Sequence, residues 1–121
     1  MKIQALAQDF AICKVAELPP PNKLGGVYFI GKTEEEISLV CETAYAPAST
    51  LACSSGWRAF RIQGVLDFSL VGVLSKISAL LAAADIGIFA VSTHNTDYIL
   101  TKAEHFGKAL SVLEDGGYVI V

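Results

Sequence analysis

The chain has 121 residues, of which 53% are hydrophobic and 17% charged, and its net charge at pH 7 is −3. This composition excludes a disordered chain and predicts a folded, soluble protein with one medium domain or two small units. Without a Lys/Arg cluster, nucleic acid is not expected as a partner. No apolar run reaches the roughly 20 residues of a membrane span, and the N-terminus lacks the apolar segment of a signal peptide, so we expect a cytoplasmic protein with no membrane partner.

Residues 1–56 are interpreted as strands and turns with little helix. Apolar residues 3–6 and 10–15 flank a polar stretch and predict a hairpin, and residues 27–30 predict a buried strand. Thr33 and Glu36 have the spacing of a capping box, which would start a helix. The short alternating run 37–41 instead favours a second hairpin, with the three glutamates in its solvated turn.

Residues 47–56 are small and polar without periodicity, which marks one internal boundary between units 1–56 and 57–121. The second unit begins with a strand at residues 57–63. A helix follows, because apolar residues recur at steps of four and three on one stripe, formed by Leu70, Leu74, Ile77, Leu81 and Ala84.

Strands are predicted at residues 86–92 and 97–101, followed by a second helix and a closing strand at 118–121. The apolar stripe of the second helix consists of Phe106, Leu110 and Leu113. The order β-α-β-β-α-β requires both helices on one face of an antiparallel sheet, which is an α+β architecture.

The chemistry-bearing residues give little sign of an enzyme. Asp67, His94 and Asp97 could serve acid/base work, but a sequence shows only that the residue types are present, and turn or strand-end roles explain the two aspartates equally well. The loop at residues 62–65 superficially resembles the phosphate loop of acylphosphatases, yet Asp67 would repel a phosphate. We therefore expect no catalytic residues.

Metal and disulfide chemistry are also not expected. The three cysteines, Cys13, Cys41 and Cys53, form no CxxC pair, and their odd number argues against a disulfide framework. His94 and His105 do not have the spacing of common metal sites. We expect reduced, mostly buried thiols and neither a metal ion nor another cofactor.

Three segments of the second unit, residues 70–77, 84–93 and 96–100, resemble an ACT domain. The subgroup most similar to this chain consists of short bacterial proteins with tandem ACT-like units, related to arginine-sensing ACT proteins of animals. The resemblance implies a ferredoxin-like βαββαβ domain preceded by a smaller, mostly β ACT-like unit. Many ACT domains place glycine just after the first helix, where this chain has Asp85, and His94 stands where an aromatic residue is common.

The resemblance implies a non-enzymatic regulatory protein that binds an amino acid or similar small molecule and forms a homodimer. A dimerisation or interaction module without a ligand is the alternative, followed by a small enzyme with an acylphosphatase-like fold. A ligand is expected between the loop at residues 64–72 and the hairpin at residues 92–97. Its carboxylate would meet the first-turn amides of a helix that starts near Leu70 and is capped by Ser69.

Gly72 either lets the ligand approach or permits helix packing against the sheet. The resemblance implies that the aspartate of the Thr96-Asp97 pair faces the ligand, so Asp97 is expected to bind a cationic group of the ligand. Asp67 is the competing partner for an α-ammonium group. The predicted ligand-binding residues are Asp67, Phe68, Ser69, Leu70, Val71, Gly72, Ser92, Thr93, His94 and Asp97.

Overall fold

The computed structural model describes residues 1–67 and 69–121. In this part of the chain, strands and helices follow one another as β1 (Lys2–Val15), β2 (Tyr28–Lys32), β3 (Ile37–Glu42), β4 (Ala52–Ile62), α1 (Val73–Ala83), β5 (Phe89–Ser92), β6 (Asp97–Lys102), α2 (Ala103–Asp115) and β7 (Val119–Ile120). Single 3-10 turns lie at Pro21–Lys23 and Thr43–Tyr45. The fold divides into two compact units: one combines Met1–Ala7 with Arg58–Val121, and the other is Gln8–Trp57.

The larger unit confirms the predicted element order, because β4, α1, β5, β6, α2 and β7 follow each other as expected. Its strands lie in the order β7-β1-β4-β6-β5. Strands β5 and β6 form an antiparallel hairpin whose last pair before the turn is Ser92 opposite Asp97. The unit has the α+β architecture that the pattern of strands and helices predicted and the ferredoxin-like fold that the resemblance implied.

The position of β1 corrects two predictions. Residues 3–15 do not form a hairpin but lie within one continuous strand. A two-residue hairpin turn requires residues that adopt positive φ, such as Asn-Gly, and Ala7, Gln8 and Asp9 do not provide that pair. The sheet is also not wholly antiparallel, because β7 pairs in parallel with β1, with Lys2 opposite Val119 and Ile3 opposite Ile120.

Both helices bury one face in a shared core. The apolar side chains of α1 and α2 pack in one cluster with inward-facing residues of the strands, and this cluster contains Ile77, Leu81, Phe106, Ala109 and Leu113 from the helices and Ile3, Phe60, Ile62 and Ile99 from the strands. Because both helices pack in this one cluster with the strand residues, the two helices cover the same face of the sheet, as predicted.

The first helix begins later than predicted. It starts at Val73, whereas Leu70 lies before it and is exposed. Gly72 occupies the N-cap position with a left-handed φ of 80°, and no side chain caps the helix. The expectation that Ser69 caps a helix starting near Leu70 is therefore wrong, because the positive φ at Gly72 interrupts the helical conformation before residue 73.

Both helices end in the same motif. After α1, the amide of Asp85 donates to the Ala82 carbonyl (3.0 Å) and that of Ile86 to the Leu81 carbonyl (2.9 Å), which is a Schellman arrangement. Gly117 takes the equivalent position after α2. Asp85 adopts a left-handed φ of 61° and Gly117 a φ of 101°. Asp85 thus occupies a conformation that favours glycine.

The Gln8–Trp57 unit confirms the second hairpin. Strands β2 and β3 pair antiparallel, and β3 pairs antiparallel with β1. The Thr33 hydroxyl accepts hydrogen bonds from the amides of Glu35 and Glu36 within the turn, which explains the capping-box spacing without a helix. The expected irregular stretch 47–56 is wrong in its second half, where β4 already begins at Ala52. The residues at the start of β4 are small and mostly exposed, so they show no alternation of apolar and polar side chains. Backbone pairing rather than apolar burial holds this end of the strand in the sheet.

The same unit follows the order strand, 3-10 turn, strand, strand, 3-10 turn, strand. The turn at Thr43–Tyr45 directly follows β3, as α2 directly follows β6. Single turns therefore stand where the larger unit has helices. Among the described residues, no helix combines the length and apolar character that crossing a membrane requires.

Candidate functional site

A cleft of about 310 Å³ lies in the larger unit, between the loop that precedes α1 and the turn that joins β5 to β6. The two segments are separated by about twenty residues of sequence that form α1, the connection after it and β5. Seven of the residues predicted to bind a ligand line this cleft: Asp67, Leu70, Gly72, Ser92, Thr93, His94 and Asp97.

Two predicted residues, Ser69 and Val71, are placed differently. Ser69 is exposed and does not line the cleft, and Val71, at 94% exposure, points to solvent. Phe68 lies outside the described residues. The lining residues that the sequence reasoning missed are Leu66, Val73, Leu74, Ser75, Asn95 and Thr96. Leu66, Asn95 and Thr96 lie within the two predicted segments, and Val73, Leu74 and Ser75 directly follow the first of them. Including every residue of the two segments and extending the first to residue 75 would have found all six.

The β5–β6 turn forms a rigid wall of the cleft. The Thr93 amide donates to the Thr96 carbonyl (2.8 Å), and the Thr93 hydroxyl donates to the same oxygen (3.0 Å). Thr96 is 3% exposed, and its hydroxyl donates to the Ile62 carbonyl at the end of β4 (2.7 Å). A buried hydroxyl needs such a partner, and this one anchors the turn to the sheet.

The opposite wall is joined to the turn through the backbone. The Leu66 amide donates to the Asn95 carbonyl at 2.7 Å, which holds the loop before α1 beside the tip of the hairpin. Further along this loop, the Leu70 amide donates to the Asp67 carbonyl at 2.9 Å and closes a tight turn. The width of the cleft is therefore set by hydrogen bonds at its base rather than by side-chain packing alone.

Two carboxylates line the cleft from opposite walls. The Ser92 hydroxyl donates to Oδ1 of Asp97 at 2.6 Å, which orients that carboxylate. Oδ1 of Asp67 accepts from the Ser69 amide at 2.8 Å. This backbone hydrogen bond, with a second one from the Ser69 side chain, lowers the pKa of Asp67 below its ordinary value. Among the described residues that line the cleft there is no Lys or Arg, so the two carboxylates give it a negative charge.

The N-terminus of α1 contributes backbone donors. Gly72 through Ser75 line the cleft, and the amides of the first helical turn have no acceptor within the helix. Among the described residues, no atom lies within 4 Å of a Cβ built on Gly72. The alternative that Gly72 permits close helix packing therefore has no support. The positive φ favours glycine at this position, and the sequence analysis did not consider this reason for it.

His94 lines the cleft beside Asn95. Nδ1 of His94 lies 3.3 Å from Oδ1 of its neighbour Asn95, on the exposed tip of the hairpin. In the described part of the chain, no three His, Cys, Asp or Glu side chains are grouped so that they could hold a metal ion. The cleft thus offers helix amides, two carboxylates, hydroxyl groups and the apolar side chains of Leu66, Leu70 and Leu74.

Comparisons with solved structures concern the whole chain. A protein of Agobacterium tumefaciens, Atu0741, superimposes with a TM-score of 0.87 at 27% sequence identity, over 99% of this chain and 91% of that one. The ligand-free regulatory subunit of aspartate kinase from Thermus thermophilus gives a TM-score of 0.69 at 12% identity, over 95% and 96% of the two chains. At this identity the second similarity concerns the fold alone.

Sequence comparison concerns about half of the chain. The human protein named cytosolic arginine sensor for mTORC1 subunit 1 is 40% identical over 67 residues, which are 53% of this chain and 20% of the relative. The chain thus matches only about a fifth of the length of this relative. Residues 52–115 match the family described as ACT domain. This match covers more than half of the sequence, and the chain belongs to the ACT domain family.

Proposed function

We propose that this protein is a non-enzymatic regulatory module that binds an amino acid in the cleft between the loop before α1 and the β5–β6 turn. The observation that carries the proposal is the meeting of helix amides and two carboxylates in one cleft of about 310 Å³. An α-amino acid carries a carboxylate and an ammonium group in fixed proximity. The cleft offers complementary partners for both groups.

The carboxylate of the ligand would bind at the start of α1. The amides of Val73, Leu74 and Ser75 belong to the first helical turn, and the positive end of the helix dipole adds to their attraction for an anion. Within the described part of the chain, no side-chain cap hydrogen bond is formed at the N-cap position, so these donors are available to a ligand. The absent Cβ of Gly72 leaves room for the ligand to approach.

Positive groups of the ligand would bind the two aspartates. Asp97, oriented by Ser92, is our choice for a cationic side chain, and Asp67 for the α-ammonium group. Charge-assisted hydrogen bonds of this kind are among the strongest in proteins. Because the matched relative is named an arginine sensor, arginine is the first ligand to test. The aliphatic part of its side chain would contact the leucines that line the cleft.

The arrangement of hydroxyl groups supports a binding role over catalysis. The Ser92 hydroxyl donates to Asp97 and the Thr93 hydroxyl to a backbone carbonyl, so neither is paired with a histidine that could activate it as a nucleophile. We therefore propose a protein that reports an amino acid to a partner and does not transform it.

A thermal-shift panel of the twenty amino acids tests the proposal. A ligand present at 100 times its Kd adds roughly 2.7 kcal/mol to the free energy of unfolding, which is a readily measured rise in Tm. We expect a shift with arginine or another cationic amino acid and none with glutamate. A panel without any shift, repeated at millimolar ligand, would contradict the proposal and leave the alternative of a ligand-free interaction module.

Homodimer formation is the second part of the proposal. The loop before α1 exposes apolar side chains of Val65, Leu70 and Val71, and these would be covered by a second copy. Light scattering over a concentration series measures the state directly. We expect a dimer that Val71→Asp weakens, and a monomer at every concentration would contradict it. The cytoplasm, where free amino acids are abundant, is the proposed location.

We further propose that the first part of the chain, residues 1–56, is a second ACT-like unit whose helices are reduced to single turns. Its order of strands and 3-10 turns supports this, as does its hairpin, in which the Thr33 amide donates to the Glu36 carbonyl (2.9 Å) as Thr93 does to Thr96. In a tandem arrangement of this kind only the second unit retains a helix N-terminus at its hairpin, so we assign ligand binding to residues 57–121.

A further inference from the structure

Cys13 and Cys53 form a close pair within the Gln8–Trp57 unit. Their sulfur atoms lie 3.1 Å apart, within hydrogen-bond distance. Cys13 is 2% exposed, whereas Cys53 is exposed, which corrects the expectation of mostly buried thiols for this residue. Neither cysteine lines the cleft assigned to the amino acid. The pair therefore combines an accessible thiol with a protected one.

We propose that Cys53 is a thiol–disulfide exchange site for low-molecular-weight disulfides, and that Cys13 resolves the resulting mixed disulfide into an intramolecular Cys13–Cys53 disulfide. The oxidant is the small disulfide, written RSSR. The proposal is independent of amino-acid binding, since it concerns another part of the chain.

The geometry supports bond formation between these two residues. An S–S bond is about 2.04 Å long, so the sulfur atoms need to approach by only about 1 Å. Cys13 lies in β1 and Cys53 in β4. The Leu51 amide donates to the Lys14 carbonyl at 2.8 Å, which holds the two chain segments side by side next to the pair. Small side-chain rotations are therefore sufficient.

The exchange proceeds in two balanced steps. The Cys53 thiol loses its proton, and the thiolate attacks one sulfur of RSSR, forming Cys53–S–S–R and releasing RS⁻, which is protonated to RSH. The Cys13 thiol then loses its proton, and its thiolate attacks Sγ of Cys53, breaks the bond to the R–S group and releases the second RSH. Two protein thiols are oxidised by two electrons in total, and one RSSR is reduced to two RSH.

Burial explains the order of the steps. Desolvation raises the pKa of Cys13 to about 12, and the hydrogen bond with Cys53 adds to this effect. Cys13 is therefore neutral and shielded from reagents, while exposed Cys53 meets them first. Once Cys53 is in the mixed disulfide, its hydrogen bond and its negative charge no longer act on Cys13, so the second thiol ionises more readily than before.

Cys41 provides the matched control. It is buried in a separate cluster with Leu24 and Leu39, and desolvation also raises its pKa. Its removal leaves the Cys13–Cys53 contact in place. Three single variants therefore separate the roles of the thiols. Cys53→Ser removes the attacked thiol, Cys13→Ser removes the resolving thiol, and Cys41→Ser removes a buried thiol outside the pair.

The test incubates the full chain with excess oxidised glutathione, alkylates the remaining thiols and locates modifications by mass spectrometry of peptides. We expect a Cys13–Cys53 linked peptide that dithiothreitol reverses, with Cys41 alkylated only after unfolding. Cys13→Ser should retain glutathione on Cys53, Cys53→Ser should take up none, and Cys41→Ser should behave like the original chain. The linkage closes a long loop of the unfolded chain, so we expect Tm to rise by roughly 10 °C upon oxidation.

Other outcomes overturn the proposal. These are a persistent glutathione adduct on Cys53 in the original chain, a linked peptide that contains Cys41, or no reaction at Cys53. Melting curves of the reduced variants establish that each is folded. If Cys13→Ser does not fold, Cys13→Ala replaces it, because alanine leaves no hydroxyl unpaired in the core.

Discussion

The hydroxyl of Ser92 donates a hydrogen bond of 2.6 Å to Oδ1 of Asp97, across the last residue pair of the β5–β6 ladder before the turn. The two residues therefore face each other on the same side of the hairpin, and both line the cleft. A carboxylate accepts several hydrogen bonds, so the bond to Ser92 orients Asp97 while leaving capacity for a ligand.

Asp97→Asn should weaken binding of a cationic amino acid by about 1.5–3 kcal/mol, the usual value of a hydrogen bond to a charged group. The substitution keeps the size of the side chain and an oxygen that accepts from Ser92. Calorimetry with the ligand found in the thermal-shift panel measures the effect. Asp67→Asn is the comparison variant, because Asp67 is assigned to the α-ammonium group. Unchanged affinity in Asp97→Asn with binding abolished in Asp67→Asn would transfer the specificity role to Asp67.

Gly72→Ala should lower the free energy of unfolding by about 1–2 kcal/mol, because alanine is strained at the left-handed φ of 80°. Gly72→Asn should cost less stability, since asparagine tolerates this conformation. Its side chain would nevertheless enter the open cleft, so both variants should bind the amino acid more weakly. Denaturant unfolding and calorimetry separate the two effects. Full affinity in Gly72→Asn would show that the ligand does not approach this position.

Asp85→Gly should stabilise the chain by about 1 kcal/mol. The change relieves the left-handed conformation at Asp85 and removes a negative charge from the C-terminal end of α1, where the helix dipole is unfavourable. It also makes the end of α1 equivalent to that of α2, which has Gly117. Asp85→Asn removes the charge but keeps a tolerated side chain, so it should give only part of the gain. Equal or lower stability of Asp85→Gly would contradict this account.

The carboxyl group of Asp67 should titrate below its ordinary pKa of 3.8 in the folded protein, because the Ser69 amide donates to its ionised form. Because the pKa is lower in the folded state, the stabilisation from this interaction is fully present at a pH above the ordinary pKa. It is lost as the pH falls through the folded-state pKa. Carbon-detected NMR of the side chain measures this directly. Ser69→Ala should raise the pKa only slightly, since the backbone donor remains, and titration above 3.8 in the original chain would exclude the interaction.

The core of the larger unit could be predicted because apolar spacing reports helical and strand periodicity. Ile77, Leu81, Phe106 and Leu113 are all buried as the stripes require. The pairing of β7 with β1 could not be predicted in this way, because alternation shows which face of a strand is buried but not which strand lies beside it. The true start of α1 was missed because a positive φ at Gly72 leaves no trace in the apolar pattern.

The candidate site was predictable for a different reason. Asp67 and Asp97 are thirty positions apart, and no spacing rule brings them together, so their placement in one cleft followed from the family resemblance. Thr96 was missed because it reads as an ordinary turn residue. Its importance lies in the bond to the Ile62 carbonyl, an interaction across 34 positions that only the folded chain displays.

The insertion of β1 between β7 and β4 also decides which fragments of this chain can fold alone. A recombinant fragment that begins at Trp57 lacks that strand and removes Ile3 from the core. It also deprives Arg58 and Arg61 of their acceptors, the Leu6 carbonyl and the Gln4 side chain. Two strand edges would then be exposed to pairing with other molecules. The larger compact unit is therefore discontinuous in sequence, and we expect excision between residues 56 and 57, the boundary suggested by the sequence, to yield an aggregating product.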